Sequence, residues 1–302
     1  MSYSQQFLCA DNASSADWWS WGGGISSFLS ANGWTKTSDY NVTWGTTAVP
    51  GAGAYVYEVW ESNDSLSSGP GAFPYYMKVE YGNAVSNNCP MLRISFSTGP
   101  STSGTLSGNV IGPFYLQAGN TAAETTGASF ECDMSTDGTS SVGAGQRLGL
   151  LMWRTAANAN RPCFLAVERA ISWNGSTFSY NSNYLTVVSG GYNSAVAIQQ
   201  QTLWNPTLGV STTLQTNWAS LPSNLSTNLA LNNVPFLPVF PMVGYVDNFL
   251  TAVGTTKAND MVEGTTNTAV LYGTSHPFLA SYKANWNSGI LSVNNGLLMR
   301  ID

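Results

Sequence analysis

Four groups of residues in this chain have types and spacings that could support chemistry. Glu131 and Asp133 stand two apart in SFECDMS, a spacing that on a strand directs both carboxyls to one face. A retaining glycosidase holds its two carboxyls about 5–5.5 Å apart, which such a pair could reach. Phe130, Cys132 and Met134 form the alternate, apolar set, so the plainer reading is the wet face of a half-buried strand. Glu58 with Lys78 or Glu80 on the neighbouring strand reads as a cross-strand pair, a structural feature worth at most about 1 kcal/mol. His276 is the single histidine and would have to be the base in any Ser-His-Asp or Cys-His scheme. It stands in GTSHPFLAS, which reads as a turn entering a strand, and the chain has no G-x-S-x-G nucleophile elbow. Lastly, WNGSTFSYNSNY at 173–184 sets aromatic rings among amides, as a sugar site would, and equally suits a hairpin tip packed on a neighbouring subunit.

Metal and phosphate chemistry find less support. There is no C-x-x-C, no H-x-x-x-H and no EF-hand loop, and the glycines at 22–24 are not followed by the Lys-Ser/Thr of a phosphate loop. The expectation is a protein with no catalytic residues, no cofactor and no metal. Ten basic residues are scattered along the sequence without forming a stripe, and the net charge is -6, so nucleic acid is not an expected partner. No stretch is apolar for long enough to span a bilayer, so membrane insertion is not expected either.

The elements that would position these groups follow from composition and period. The chain has 302 residues, of which only 9% are charged against about 25% in an ordinary soluble domain. Neutral polar residues take up the difference, and with 30 Gly, 13 Pro and 12% aromatics the vocabulary is that of strands and turns. One amphipathic helix is predicted over 15–31. Ser14 or Ser15 would cap it, Trp18, Trp21, Ile25, Phe28 and Leu29 would form its apolar face, and Asn32-Gly33 would stop it. Gly22, Gly23 and Gly24 in its middle argue against it, each costing up to about 1 kcal/mol relative to Ala.

Period two then takes over. Tyr55, Tyr57 and Val59, then Met77, Val79 and Tyr81, then Leu92, Ile94 and Phe96 mark half-buried strands with a wet face, the second and third joined as an antiparallel hairpin through GNAVSNNCP. Further strands are predicted at 129–134, 148–153 (central, being apolar throughout), 163–169, 184–188, 195–201, 242–247, 268–272, 278–282 and 297–301. Residues 202–241 lack a period and carry prolines, which predicts an extended connector or arm. The fold class expected is mainly β, an antiparallel sandwich or barrel-like set of sheets with one N-terminal helix. Its divisions are 1–201, the Pro-rich connector 202–241 and a C-terminal β segment 242–302.

The apolar helix face and the connector's Leu225, Leu229, Leu231, Phe236, Leu237, Val239 and Phe240 offer more apolar surface than a monomer needs, which makes them candidates for contacts between subunits. The helix face, Trp18, Trp21, Ile25, Phe28 and Leu29, could alternatively bury against the strands. The N-terminus MSYSQQFLCADNASS has neither a basic region nor an apolar run of a secretory signal, which predicts cytosolic synthesis. Cys9, Cys89, Cys132 and Cys163 are accordingly read as free thiols.

Several of these segments resemble a family of tailed-bacteriophage virion proteins. They are SANGWTKTSD, NVTWGTTAVP, YVYEVWESND, YMKVEYGN and PMLRISFSTG near the N-terminus, and PVFPMVGYVDN, EGTTNTAVLYGTSHPFLAS and GLLMRID near the C-terminus. The resemblance covers about half the chain in pieces and consists of structural signatures. It implies a virion structural subunit of the tail or neck, made in the host cytoplasm, whose partners are further copies of itself and other phage structural proteins. A module of the tail tip that binds a host-surface glycan is the alternative, and an enzyme acting on the host surface ranks third. Aromatic enrichment with few charges is also what a buried subunit interface selects.

Overall fold

In the stretch 15–31 the apolar side chains recur every three or four residues, Asp17 lies in the first turn where it complements the helix dipole, and the chain forms α1 (Ser15–Ala31) as expected. Gly33 ends it in the left-handed region, with φ of 88°. The Trp34 amide then donates to the Leu29 carbonyl at 3.1 Å, and Asn32 Nδ2 donates to the Phe28 carbonyl at 2.8 Å. The computed structural model describes residues 4–10, 15–51, 53–63, 67, 74–83, 90–101, 105–117 and 265, and after Gln117 otherwise only the strands named below.

The strand β1 (Ser4–Ala10) precedes the helix. Five strands follow it as an antiparallel meander in chain order: β2 (Thr35–Tyr40), β3 (Tyr55–Glu61), β4 (Tyr76–Asn83), β5 (Pro90–Gly99) and β6 (Ser107–Gln117). The hairpin between β4 and β5 is present, with Asn83 opposite Pro90. Register decides which side chains meet the helix. Glu58 lies opposite Val79, and Val79 opposite Ile94. Val56, Glu58 and Trp60 therefore share one face with Met77, Val79, Tyr81, Leu92, Ile94 and Phe96.

Two expectations are corrected here. On β3 the core set is 56, 58 and 60, while Tyr55, Tyr57 and Val59 occupy the other face. The sheet also has no simple wet face, because Val56 to Trp60 are all buried, Val59 completely. A strand apolar on both faces gives period two no purchase.

The five helix residues expected to be apolar are at most 6% exposed and belong to this chain's own core. Of the two coverings open to that face, its own strands provide it, so Trp18, Trp21, Ile25, Phe28 and Leu29 present no free surface to a second subunit. Trp21 meets Tyr81 edge-on at 6.1 Å, and Phe28 meets Phe7 of β1 edge-on at 5.8 Å.

The three glycines have a packing reason. A Cβ at Gly22 would overlap the indole of Trp44, and one at Gly24 would come within 2.7 Å of the Phe7 ring. The helix gives up side chains there so that two aromatic rings can lie against its backbone.

The remaining strands form one seven-stranded sheet, a second five-stranded sheet and two two-stranded pairs. β7 (Ser129–Asp137), β8 (Arg147–Arg154), β9 (Cys163–Trp173), β10 (Phe178–Asn193), β11 (Val196–Asn205) and β12 (Val210–Leu214) run as a second antiparallel meander, with β1 added beside β7. β8 is internal to this sheet, as its apolar sequence predicts. Leu165, Val167 and Val187 join the same core as the helix and the first sheet.

The connector departs from expectation at its start, where 202–205 and Val210–Leu214 are strand rather than structureless arm. Further along it are the short strands β13 (Ala230–Leu231), β14 (Val234–Pro235) and β15 (Leu237–Val239), which include Leu231, Leu237 and Val239. Leu225, Leu229, Phe236 and Phe240 lie outside the described residues.

A single strand expected at 242–247 is instead the two-strand pair β16 (Met242–Val243) and β17 (Val246–Asp247). β18 (Leu250–Lys257), β19 (Thr266–Leu271), β20 (Thr274–Ser288) and β21 (Leu291–Arg300) complete a five-stranded sheet with β15 at one edge, where its proline is tolerated. The fold is thus mainly β and antiparallel, with one N-terminal helix, and no helix among the described residues is long and apolar enough to cross a membrane.

Gly22→Ala should therefore behave against helix propensity. On an open helix the change stabilises by up to about 1 kcal/mol. Here the Trp44 ring must move, and we expect a net loss of about 1–3 kcal/mol in chemical denaturation. Gly23→Ala, whose Cβ would stop 3.3 Å from Trp44, should stay within about 1 kcal/mol of the native chain.

Candidate functional site

The most densely bonded polar group among the described residues is the carboxylate of Glu58, which β3 carries into the core beneath α1. Its side chain is fully buried. Four donors from four different segments converge on it. Ser26 Oγ of α1 donates to Oε1 at 2.8 Å, Trp44 Nε1 of the loop after β2 donates to Oε1 at 3.1 Å, and Tyr81 of β4 donates its hydroxyl to Oε2 at 3.0 Å. Lys36 of β2 places its ammonium 3.5 Å from Oε1.

Helical spacing explains how α1 reaches the acid. Trp18, Gly22 and Ser26 recur every four residues along one stripe. The Trp44 ring lies over Gly22, 5.2 Å from Trp18 and 5.0 Å from Tyr81, which aims its indole nitrogen at the same oxygen that Ser26 reaches. The loop is pinned a second time, where Trp19 Nε1 donates to the Thr47 carbonyl. At the edge of the cluster Lys36 also pairs with Asp39 at 3.2 Å. Burial works against the Lys36 charge, but the Asp39 hydrogen bond and the negative charge of Glu58 outweigh it, so its pKa lies above the ordinary 10.5.

A second ionic cluster occupies the opposite face of the sheet. Glu80 accepts two hydrogen bonds from Arg93, Nε to Oε2 at 2.7 Å and Nη2 to Oε1 at 2.6 Å, and pairs with Lys78 at 3.0 Å. Lys78 Nζ sits 4.4 Å from the centre of the Tyr57 ring, and the Arg93 guanidinium 4.1 Å from that of Tyr55. Burial would raise the Glu80 pKa. The Arg93 and Lys78 bonds more than offset it and hold the carboxyl below its ordinary 4.5.

These geometries correct two expectations and place others. Glu58 does not pair with Lys78 or Glu80, because odd and even positions of β3 face opposite ways and Glu58 is on the helix side. Glu131 and Asp133 lie on β7, in register with Trp153 and Leu151 of β8, and their side chains are outside the described set. His276 is the third residue of β20, opposite Ala269, so its backbone is strand rather than turn. The segment 173–184 does run from β9 into β10, with Trp173 opposite Phe178. Cys9, Cys132 and Cys163 lie on β1, β7 and β9, and Cys89 falls outside the described residues.

Sequence reasoning passed over Ser26, Lys36, Trp44 and Tyr81 as partners of Glu58. A signal for them existed in three successive glycines within an apolar helix, which mark a close approach by something bulky. Among the described residues no group of His, Cys, Asp and Glu is arranged to hold a metal ion. No protein-family model, curated protein or solved structure matches this chain.

Two outcomes follow from this geometry. Glu58→Ala strands the buried donors Ser26 and Tyr81, the partly buried Trp44 and the Lys36 charge, and should cost about 3–5 kcal/mol in urea or guanidinium unfolding. Glu58→Gln keeps an acceptor at Oε1 and should cost distinctly less. For Glu80 the sign runs with acid. Its folded pKa is depressed, so its contribution is full above the ordinary carboxylate value of 4.5 and is lost as pH falls through the folded value. Thermal midpoints measured from neutral pH downward should fall more shallowly for Glu80→Gln than for the native chain.

Proposed function

We propose that this chain is a structural subunit of a tailed-phage virion, part of the tail or neck, that works by self-association and by docking onto other virion proteins. The observation that carries the reading is the use made of the two buried acids. Glu58 and Glu80 are each saturated by donors from neighbouring segments and serve to lock helix, loop and strands together, which favours a rigid building block over a turnover site. The resemblance of residues 14–99 and 260–302 to virion proteins points the same way. So does the small share of charged residues, since interfaces between subunits are depleted in charge and enriched in aromatics.

The test is direct imaging of the intact particle with this chain traced in the density. The expected result is several symmetry-related copies in the tail or neck. A chain that is produced during infection but missing from purified particles would overturn the proposal. So would turnover of host-envelope polysaccharide that is abolished by Glu131→Gln or Asp133→Asn.

A further inference from the structure

The apolar face of α1 is spent on this chain's own core, so self-association needs another contact, and the place of β1 supplies one. In the seven-stranded sheet every other pair joins strands that follow one another in the chain. β1 instead lies against β7, with the helix and the whole first sheet between them in sequence. Its seat has two parts. The edge of β7 offers a row of backbone partners, with Ser4 opposite Ser135, Phe7 opposite Cys132 and Ala10 opposite Ser129. α1 offers a notch at Gly24, where a Cβ would stand 2.7 Å from the Phe7 ring, and that ring meets Phe28 edge-on at 5.8 Å. Phe7 is buried there, and the helix accepts a glycine in its interior to receive it.

This seat selects its occupant. It takes a short extended segment with an aromatic ring at its centre, and Ser4–Ala10 is such a segment, with Phe7 in its middle. None of its residues is charged or proline, so insertion buries no ion and loses no backbone donor. The edge strands of the first sheet differ, since β2 carries Lys36 and Asp39 and β6 carries Pro113, features that discourage pairing with another chain. A second copy presents the identical segment. Residues 11–14 join β1 to α1 and reach at most about 14 Å, so an exchanged strand would hold the start of its own helix beside the neighbour's sheet.

We propose that the seat formed by β7 and α1 is a strand-acceptor site, and that copies of this chain associate by placing residues 4–10 of one in the seat of another. Resting on the self-association proposed above, the exchange names the segment that carries it. The closed and exchanged forms contain the same hydrogen bonds and the same Phe7 contact, and differ in how the strand is tethered. Dilute chains therefore close on themselves, and exchange grows as the subunit concentration nears the effective concentration of a short tether, about millimolar.

The experiment uses two full-length chains, one carrying p-benzoylphenylalanine in place of Gln6, which lies opposite Asp133 of β7, and one carrying a mass tag. They are refolded together from denaturant at subunit concentrations from about 10 μM to about 1 mM, then irradiated. Peptide mapping separates cross-links to residues 129–137 of the same chain from those to the tagged chain. The between-chain share at 129–137 should rise about tenfold or more across that range. Phe7→Ala in the first chain should reduce cross-linking to 129–137 within and between chains alike. Cross-links to 129–137 that stay within one chain at every concentration, or none to 129–137 at all, would overturn the proposal, as would a between-chain cross-link undiminished by Phe7→Ala. A chain that exchanges β1 yet is missing from purified particles would leave the acceptor site standing and remove the virion reading, and a chain traced in the particle whose β1 remains in its own sheet would do the reverse.

Discussion

A carboxylate taken fully out of water has to be met by donors from the protein, and at Glu58 that requirement organises everything around it. The acid is fixed to the middle of the first sheet by its place on β3. Ser26 can reach it only if α1 crosses the sheet at one height and one rotation. Trp44 can reach it only if the loop after β2 folds back over the helix, and Tyr81 only if β4 keeps its register. Helix, loop and two strands thus share one set of coordinates, which apolar packing alone, being non-directional, would not supply.

The two faces of that sheet solve the problem of low charge differently. Beneath the helix a single acid meets mainly neutral donors with one ammonium at the margin. On the other face Glu80 lies between two cations, each of which also rests on a tyrosine ring. In both places a charge is used for direction. With so few charged residues in the chain, solubility falls to the amides and hydroxyls, and the scarce ions are free to act as internal ties.

How much of this could be read beforehand depended on whether the cause lay near in sequence. The helix was legible because its apolar stripe and its Asn32-Gly33 stop are local, and the β4–β5 hairpin because its strands alternate and its loop is rich in Asn, Gly and Pro. β1 and β2 were missed, since SQQFLCA and TKTSDY are edge strands with little alternation, and β6 was obscured by Gly112 and Pro113. β3 was found but assigned the wrong inner face. YVYEVWE is apolar in both registers, and an acid at its centre looks like a surface residue until donors 14 to 32 positions away are brought to it. The role of the glycines was hidden for the same reason, because the two rings that need them, Trp44 downstream and Phe7 upstream, are each about twenty residues away.

Those glycines also bear on when the helix can exist. A seventeen-residue helix with three glycines at its centre has little stability of its own, and nucleation in isolation is costly. Its two halves are joined by the stretch least inclined to be helical, and that stretch becomes favourable only once Trp44 and Phe7 cover it. Helix formation is therefore coupled to arrival of the loop on one side and of the N-terminal strand on the other. Because β1 is itself paired with β7, far along the chain, the second of these covers depends on a strand that is made long after the helix.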